Sequence, residues 1–366
     1  MYSIRILLNQ PLRFFLTIGG IGLCIVLMLF LLGVYRGVEV GSVEYIRKNK
    51  ADLWILQDGT NNILRATSIL STAHGYVIND HPDVKMDSPI LLLLSTIEKG
   101  DRSSTVFLTG YRPELKLGGP PYLINGREIQ NDDEIVLDKS FAEKYDYEIG
   151  DQVLIQDDTL YVVGICTGTN AFVIQYAFVT LKRAQEVIGF PNLVTTYLIN
   201  LKNGANIDKV IQDLHTDLPG VVVFPHSTFL KNNIEEMESG LLPLLYAIAA
   251  IGAIVLTVIL SLILSINILE RRKDFAVMKT LGSPDRFLPG LILQQALILT
   301  FVAAIFSMAL FFPMMRLIEN LTPELSTITT VDQIFTVVAV VCIMSLFSSF
   351  ISMRRLRKIY PLEAFS

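Results

Sequence analysis

The sequence predicts a membrane protein: four transmembrane helices with a mixed α+β extracytoplasmic domain inserted between helices 1 and 2. The chain of 366 residues is 51% hydrophobic and 18% charged, a composition typical of several membrane spans. Four apolar runs, each long enough for the roughly 20 residues that cross a bilayer core, cover residues 14–35, 241–269, 288–312 and 334–353. No small-x-small cleavage site follows the first run, which favours a retained anchor over a signal peptide.

The distribution of charge predicts the orientation. Residues 36–239 carry 18 Lys and Arg against 28 Asp and Glu, whereas the remainder carries 12 against 7. Most cationic residues of that remainder lie near the N-terminus, within 271–286 and within 354–358. The positive-inside rule therefore places both termini and the loop after span 2 in the cytoplasm, and the acidic domain outside. An acidic outer domain gives no support to nucleic-acid binding.

The inserted domain is predicted to stand on two helical stalks. No turn signal follows the first run before Asn49, so a stalk is expected to end at residue 48, and helix-like residues 228–238 lead into span 2. Residues 118–121 form a turn cluster and predict a subdomain boundary. Within residues 49–227, strands are predicted at 52–57, 90–98, 105–109, 134–137, 152–156, 160–165, 172–180, 196–201 and 221–224, and helices at 139–145, 181–188 and 207–218.

The remaining boundaries follow from amphipathic and charge patterns. Thr330 with Gln333 resembles a capping box that opens the last span at residue 331. The other predicted segments are a cytoplasmic amphipathic elbow helix at 1–13, span 1 with its stalk at 14–48, the second stalk and span 2 at 228–269, a cytoplasmic loop at 270–287, span 3 at 288–315, a short outer loop at 316–330, span 4 at 331–353 and a basic cytoplasmic tail at 354–366.

The cytoplasmic loop contains a short amphipathic helix. Phe275, Met278 and Leu281 recur at helical spacing among basic residues, and Gly282 followed by Pro284 supplies a helix stop. An apolar stripe at a cytoplasmic turn needs a surface to bury it. The residues leave two alternatives open, which are docking on a cytoplasmic protein and lying flat among lipid headgroups.

The predicted spans contain no ionisable side chains. Residues 14–35, 241–268, 288–312 and 334–353 include no Asp, Glu, Lys, Arg or His. Ion-coupled carriers normally need such residues at membrane depth, and ion channels need polar rings. An ion-coupled carrier is therefore disfavoured. Interhelical hydrogen bonding is expected of the polar residues in these spans, for example Ser261, Ser265, Asn267, Gln294 and Gln295.

The sequence offers no catalytic or metal-binding motif. It contains no Gly-x-x-x-x-Gly-Lys-[Ser/Thr] phosphate loop and no common hydrolase motif. The three Cys and four His lack zinc-ligand spacing. The carboxylates at Asp132-Asp133-Glu134 and Asp157-Asp158 lie in turn-like sequence and are expected to be solvated. We therefore expect no metal, no cofactor bound by this chain and no enzymatic activity.

Several stretches carry a family resemblance. The loop reads Glu270-Arg-Arg-Lys-Asp-Phe-Ala-Val-Met-Lys-Thr-Leu-Gly282, and the tail reads Arg354-Arg-Leu-Arg-Lys-Ile-Tyr-Pro-Leu-Glu-Ala-Phe365. The outer domain adds Glu134-Ile-Val-Leu-Asp-Lys-Ser-Phe-Ala-Glu-Lys144, then Ile149-Gly-Asp-Gln-Val153. Together they resemble the MacB/FtsX-like ABC transporter permease family, the type VII transporters that work by mechanotransmission. Asp52-Leu-Trp-Ile-Leu56 is similar to the first outer strand of compact members such as DevC-like and haem-exporter permeases.

The resemblance implies a coupling helix that docks on an ATPase. Phe275, Met278 and Leu281 are then its docking face. The surrounding charges also orient the spans, so both interpretations stay open for Arg271 and Arg272. Met28 and Glu39 are candidate substrate contacts, against the alternative of a packed Met and a solvated Glu. The implied coupling-helix residues are Glu270, Arg271, Arg272, Phe275, Met278, Lys279, Leu281 and Gly282, and the tail motif is Pro361, Glu363 and Ala364.

The resemblance also implies a function and partners. The chain would be the permease subunit of an ABC exporter in a bacterial plasma (inner) membrane, relaying ATPase motion to its outer domain to expel a hydrophobic or amphipathic substrate. Its implied partners are separate ABC ATPase subunits that hold ATP and Mg²⁺, a second permease chain as homodimer or pair, the lipid membrane and a periplasmic adaptor protein. The alternatives are an FtsX-like signalling subunit that controls an extracytoplasmic enzyme, lipid or lipoprotein extraction, and a membrane-anchored sensor without an ATPase.

Overall fold

The chain folds into two units, one built on a β-sheet and one built of long helices. The computed structural model describes residues 11–99, 102–156, 158–171, 174–270, 273, 277–278, 282–284, 287–323 and 327–356. The sheet unit comprises residues 37–242 with 318–323, and the helical unit takes in the described parts of 11–36, 243–317 and 327–356. The predicted elbow helix at residues 1–13 lies almost wholly outside the described residues.

The helices of the described chain are α1 (Pro11–Lys48), α2 (His74–Asp80), α3 (Lys139–Tyr145), α4 (Leu181–Ile188), α5 (Ile207–Asp217), α6 (His226–Glu270), α7 (Phe287–Leu321) and α8 (Val331–Leu356). Among the described residues, α1, α6, α7 and α8 are long and apolar enough to cross a membrane, as predicted. α1 and α6 are helical through residues 36–48 and 228–238, as predicted, and the role of these segments as stalks stays a prediction. α7 runs to Leu321, so residues 316–321 are helix rather than outer loop, because this segment contains no proline or glycine to end the helix.

Serine hydroxyls bind neighbouring backbone within the helical unit. Ser307 of α7 donates to the carbonyl oxygen of Gly22 in α1 at 3.1 Å. Ser348 and Ser352 of α8 donate to carbonyl oxygens of α6 at 3.0 and 3.2 Å. Such bonds hold helices together where lipid removes the hydrophobic driving force. Of the polar residues named from the sequence, Ser261 contributes only its carbonyl here, and the buried Ser265 hydroxyl has no partner among the described residues.

The start of α8 contains half of the predicted capping box. The side-chain oxygen of Gln333 accepts from the N–H of Thr330 at 3.1 Å. The Gln333 amide nitrogen also donates to the carbonyl oxygen of Leu32 in α1 at 3.3 Å. One side chain therefore both caps α8 and binds it to α1.

The strands of the described chain are β1 (Leu53–Gln57), β2 (Leu70–Ser71), β3 (Val84–Lys99), β4 (Arg102–Tyr111), β5 (Tyr122–Gly126), β6 (Glu134–Asp138), β7 (Gln152–Ile155), β8 (Asp158–Thr167), β9 (Asn170–Ala171), β10 (Ile174–Thr180), β11 (Leu193–Val194), β12 (Thr196–Leu201) and β13 (Val221–Pro225). Most belong to one mixed sheet of order β13-β1-β12-β3-β4-β10-β6-β8-β5, and β2 pairs with β11 apart from it. All nine predicted strands and the three predicted helices of the domain are present.

Part of this sheet closes into a ring. From β4 the neighbours β10, β6, β8 and β7 follow, and β7 pairs again with β3. Closure is possible because β3 is 16 residues long. Its first half pairs with β12 and its second half with β4. A closed ring leaves few unpaired strand edges, which limits edge-to-edge association of the unit.

Two apolar clusters cover the two faces of the sheet. One fills the ring and the space beneath the short helices, with Leu108, Ile135 and Val162 fully buried. The other is rich in aromatic residues and combines sheet residues with Tyr45 of α1 and Phe229 of α6. The second cluster therefore holds both long helices on the sheet.

The turn cluster at residues 118–121 is not a subdomain boundary. Residues on both sides of it belong to the sheet unit. Gly118, at φ +90°, donates its N–H to the side-chain oxygen of Asn49 at 2.7 Å. Glycine is required here by the positive φ and by the close approach of β3, since a Cβ at Gly118 would fall 2.0 Å from Ile90.

Candidate functional site: the coupling segment and the helix attachments

The predicted coupling segment follows the end of α6. Glu270 is the last residue of α6 and is exposed, Lys273, Val277 and Met278 are helical, and Met278 is half-buried. The remaining predicted members lie outside the described residues, namely Arg271, Arg272, Phe275, Lys279 and Leu281.

Gly282 ends the short helix, as the sequence predicts. Its φ is +80°, in the left-handed region. The N–H of Ser283 donates to the carbonyl oxygen of Met278 at 3.1 Å. This six-to-one bond around a left-handed glycine is the Schellman arrangement, in which a side chain at the glycine would strain the backbone. This bond holds the backbone of Met278 next to the turn at Gly282, and the coupling role of the segment stays a prediction.

The other predicted site residues are dispersed. Met28 is buried inside the helical unit, with 6% of its surface exposed. Glu39 is half-buried in the part of α1 that belongs to the sheet unit. Their roles as substrate contacts stay predictions. The tail motif, Pro361, Glu363 and Ala364, lies outside the described residues.

The end of α1 is attached to the sheet unit by buried hydrogen bonds. The hydroxyl of Tyr45 donates to the carbonyl oxygen of Gly118 at 2.8 Å. Asn49 donates to the carbonyl oxygen of Tyr45 at 2.9 Å while accepting from Gly118 at 2.7 Å. The Tyr45 ring packs on Tyr176 with 5.2 Å between centroids. Polar groups that are buried and satisfied in this way fix a single geometry.

The start of α6 is attached through an aromatic contact and a histidine. Trp54 of β1 stacks on Phe229 at 4.7 Å, and its indole N–H donates to Nδ1 of His226 at 3.3 Å. Burial lowers the pKa of His226, and the nearby carboxylate of Asp52 partly opposes that shift. The hydrogen bond needs the neutral ring, because a protonated Nδ1 is a donor.

The next turns of α6 bind the loop of residues 61–69, which we call the strap loop. Asn233 is 1% exposed, and it donates to the carbonyl oxygen of Phe229 at 2.8 Å. Its side-chain oxygen accepts from the N–H of Ile63 at 3.1 Å. One turn further, Arg65 forms an ion pair with Glu236 at 3.1 Å. The strap loop is therefore bound to one face of α6.

One predicted solvated carboxylate is buried. Glu134 is 5% exposed and accepts two bonds from Arg127 at 2.6 and 2.7 Å. The hydrogen bonds from Arg127 are the main reason that the pKa of Glu134 falls to about 2, and the N–H of Gln130 and the side chain of Asn131 add to it. The expectation that this carboxylate is solvated was wrong, because the turn folds back and its polar groups replace water around Glu134.

The neighbouring carboxylates form ion pairs at the surface. Asp132 accepts from Lys182 at 2.7 Å and from Thr180 at 2.6 Å, contacts that lower its pKa. Asp158 pairs with Arg183 at 3.2 Å, and Asp157 lies outside the described residues. Among the described residues, no group of three or more His, Cys, Asp or Glu side chains could hold a metal ion. These contacts stabilise the fold around β6 and α4.

Two family models match the chain in succession. A model for the MacB-like periplasmic core domain matches residues 14–216, and a model for the FtsX-like permease C-terminal region matches residues 246–361. The chain belongs to the MacB/FtsX-like family of ABC transporter permeases. The family resemblance of the loop, tail and outer domain is thereby confirmed. In this permease the sheet unit is the extracytoplasmic domain, and the partner that an ABC permease requires is an ATPase.

Two mycobacterial relatives share about a quarter of the aligned residues with this permease. The "Uncharacterized ABC transporter permease Rv2563" of Mycobacterium tuberculosis is 24% identical over 302 residues, covering 80% of this chain and 79% of the relative. The "Uncharacterized ABC transporter permease Rv0072" of the same organism is 23% identical over 307 residues, covering 81% of each chain.

Two solved structures of extracytoplasmic regions are similar to part of this chain. The periplasmic region of MacB from Actinobacillus actinomycetemcomitans is 14% identical, covers 52% of this chain and 95% of its own, and has a TM-score of 0.41. The extracellular domain of the ABC-type transporter YknZ from Gram-positive bacteria is 11% identical, covers 48% of this chain and 100% of its own, and has a TM-score of 0.38.

The attachments of α1 and α6 were missed from the sequence. Their partners are far apart in the chain: Tyr45 and Gly118 are separated by 73 residues, and Ile63 and Asn233 by 170. One feature of the sequence could have indicated the attachment of α6. Asn233 lies four residues after Phe229, on the apolar face of the helix, where a polar side chain needs a partner.

Proposed function

We propose that this chain is the permease subunit of a bacterial ABC exporter that relays the motion of separate ATPase subunits to its extracytoplasmic domain and so expels a hydrophobic or amphipathic substrate. It lies in the plasma (inner) membrane with both termini in the cytoplasm. The observation that carries the proposal is that α1 and α6 are each unbroken helices whose outer turns are fixed to the sheet unit by buried hydrogen bonds.

A continuous helix is suited to such a relay. Backbone hydrogen bonds lie along each helix axis, so a displacement at one end moves the other end. α6 contains Pro243, which has no N–H to donate to the preceding turn, and this is the point at which α6 can bend. Spans without ionisable residues need no bound ion at membrane depth, which agrees with energy supplied from outside the membrane. The attachments at Tyr45, Asn49 and Asn233 then pass helix movement to the sheet rather than letting the helices slide.

The coupling segment receives the motion in this proposal. The helix ending at Gly282 docks on the ATPase with Phe275, Met278 and Leu281, and Arg271, Arg272 and Lys279 surround that face. ATP and Mg²⁺ are held by the ATPase. Two permease chains, identical or paired, work with two ATPases, and a periplasmic adaptor protein joins where the substrate must travel further.

Co-purification tests the docking face. Tagged permease is extracted from its own host's membranes in mild detergent, and recovery of an ABC ATPase subunit is measured. Phe275→Asp and Met278→Asp are each expected to abolish recovery, because a carboxylate on the apolar face cannot be buried in the interface without a partner. Val277→Asp, on the adjacent face of the same helix, is the matched control and is expected to retain the ATPase.

Two outcomes overturn the proposal. Retained association in both docking-face variants shows that the helix lies among headgroups instead. Failure to recover any ATPase with the unmodified chain favours a sensor without an ATPase. Export is separated from signalling by adding hydrophobic compounds to the purified complex, because only an exporter is expected to show substrate-stimulated ATP hydrolysis.

A further inference from the structure

A cavity of about 410 Å³ opens in the sheet unit beside β3. One wall is formed by residues 91–94, a run of four leucines, together with Phe107. The strap loop forms another wall, and Ile188 and Leu193 complete the lining. Successive strand residues point to opposite faces, so Leu91 belongs to one apolar cluster of the sheet and Leu92 to the other. Leu91 is 1% exposed, whereas Leu94 at the cavity is 56% exposed.

Two of the three hydroxyl groups that line this cavity, those of Thr195 and Ser68, bind backbone groups of neighbouring strands. The Thr195 hydroxyl accepts from the N–H of Leu92 at 2.9 Å and donates to the carbonyl oxygen of Ile90 at 3.0 Å. The hydroxyl of Ser68 accepts from the N–H of Gln57 at 2.9 Å. The lining is therefore mainly apolar, with the Thr67 hydroxyl and one cation as the polar side chains it offers a ligand. Its volume and character match those of small-molecule sites.

That cation is Arg65. Its side chain is 54% exposed, and its contact with Glu236 uses Nη1 at 3.1 Å. A guanidinium has five N–H donors, so the remaining ones are available to an anion at the cavity. An apolar volume next to a half-exposed guanidinium matches a molecule with a hydrocarbon chain and an acidic head.

The cavity wall is bound to α6. Asn233, Glu236 and Gly240 contact the strap loop and recur at helical spacing on one face of α6. A Cβ at Gly240 would lie 2.7 Å from Nη1 of Arg65, so the glycine leaves room for the guanidinium against the helix. A displacement of α6 therefore moves the wall of the cavity and its cation together.

We propose that this cavity binds a single-chain amphipathic acid, with the hydrocarbon chain against the leucines of β3 and the acidic head on Arg65, and that movement of α6 shifts the strap loop to release it. This inference rests on the proposed export function and assigns it a substrate class and a binding site.

Photolabelling tests the cavity directly. The full chain in nanodiscs is irradiated with a diazirine-bearing pentadecanoic acid or with the matching diazirine alcohol, and adducts are mapped by peptide mass spectrometry. The acid is expected to label residues 63–69 and 91–94 about tenfold more than the alcohol, since a charge-assisted bond to Arg65 separates the two probes. Adducts confined to the four apolar helices overturn the inference, because that pattern is annular lipid alone.

Variants separate the two parts of the proposal. Leu64→Trp and Ala66→Trp narrow the cavity and are each expected to abolish its labelling, whereas Leu123→Trp on β5, away from the cavity, is the matched control and retains it. Arg65→Gln is expected to bring labelling by the acid down to the level of the alcohol. Unchanged labelling in both narrowing variants overturns the site, and an unchanged acid preference in Arg65→Gln overturns the head-group assignment. No ATPase is needed for labelling, so failure here is distinct from failure of the co-purification test.

Discussion

The two units of this permease are stabilised by different chemistry. In the sheet unit, buried polar groups include a carboxylate, Glu134, with a guanidinium partner. In the helical unit, the apolar runs 14–35, 243–268, 288–312 and 334–353 hold no Asp, Glu, Lys, Arg or His, and serine hydroxyls bind backbone carbonyls. The surrounding solvent therefore determines which kind of buried polar contact each unit uses. Water lets a domain assemble charges before burying them, whereas lipid favours neutral donors and close backbone approach.

A steric change in the helical unit is expected to lower the stability of the chain the most. Gly22→Leu places a side chain where a Cβ already meets Phe306 at 3.0 Å and Ser307 at 3.3 Å. Overpacking of this kind destabilises by about 3 kcal/mol, toward the upper end of its usual range, because it also separates Ser307 from the Gly22 carbonyl. The apparent Tm of the detergent-solubilised chain measures it.

Gly19→Leu is the matched control for that change. Gly19 lies one helical turn before Gly22 in α1, and a Cβ there meets no atom within 4 Å. We expect an unchanged Tm. An equal loss in both variants would show that glycine at these positions serves helix flexibility rather than close packing.

Removing a buried charge from the sheet unit is expected to cause the next largest loss of stability. Glu134→Gln keeps the shape of the side chain but loses the ion pair with Arg127 and mismatches the N–H donors around it, at a cost of about 2 kcal/mol. Chemical denaturation of the chain at neutral pH measures the loss. Glu143→Gln, whose side chain is 53% exposed, is the control and is expected to change little.

The pKa of the same carboxylate predicts how the stability of the fold depends on pH. The pKa of Glu134 is about 2 in the folded chain, below its ordinary value of 4.5. The ionised carboxylate therefore contributes fully to the free energy of unfolding above pH 4.5. This contribution is lost as the pH falls from about 4.5 to about 2, where the folded carboxylate also takes up a proton. The Glu134→Gln variant should lose less stability than the unmodified chain across that window. Parallel curves for the two proteins would contradict this assignment.

The sequence predicted elements whose signal is local. The four long helices and nine strands follow from hydropathy and alternation, which each segment carries by itself. The stop at Gly282 was visible for the same reason, since a Schellman motif needs only six consecutive residues. The family assignment drew on the loop and tail that flank these elements.

Features decided by tertiary pairing were not predicted. The two-residue strands β2, β9 and β11 exist only because a partner lies opposite them. β5 was missed because its residues are all exposed and offer no alternation. Burial of Glu134 depends on a turn closing over it, and the attachment of the strap loop to Asn233 joins residues 170 positions apart. Hydropathy gives no information about such pairs.

Breaking the strap should affect a smaller region than either change above. Asn233→Leu leaves the buried N–H of Ile63 without its acceptor, at a cost of about 1.5 kcal/mol. Hydrogen exchange should rise roughly tenfold at residues 63–66 and remain unchanged in β6 and β8, because the ring does not depend on this bond. Lys231→Ala, at a side chain that is 75% exposed, is the control. A uniform rise across the sheet unit would mean that Asn233 supports the whole fold rather than the strap loop.

The smallest expected effect lies where α6 meets β1, and it depends on pH. Because burial lowers the pKa of His226, the folded chain binds fewer protons than the unfolded chain below pH 6.5, the ordinary pKa. Its contribution to stability is thus present at neutral pH and is lost as the pH falls through 6.5 toward the lowered folded pKa. Trp54 is the single tryptophan of the chain and donates to this ring, so its emission reports the site. His226→Asn, which keeps an acceptor for the indole N–H but does not titrate, should remove the pH-dependent change in emission between pH 7 and pH 5. If the change persists in that variant, another group titrates there and the neutral imidazole is not what fixes the start of α6.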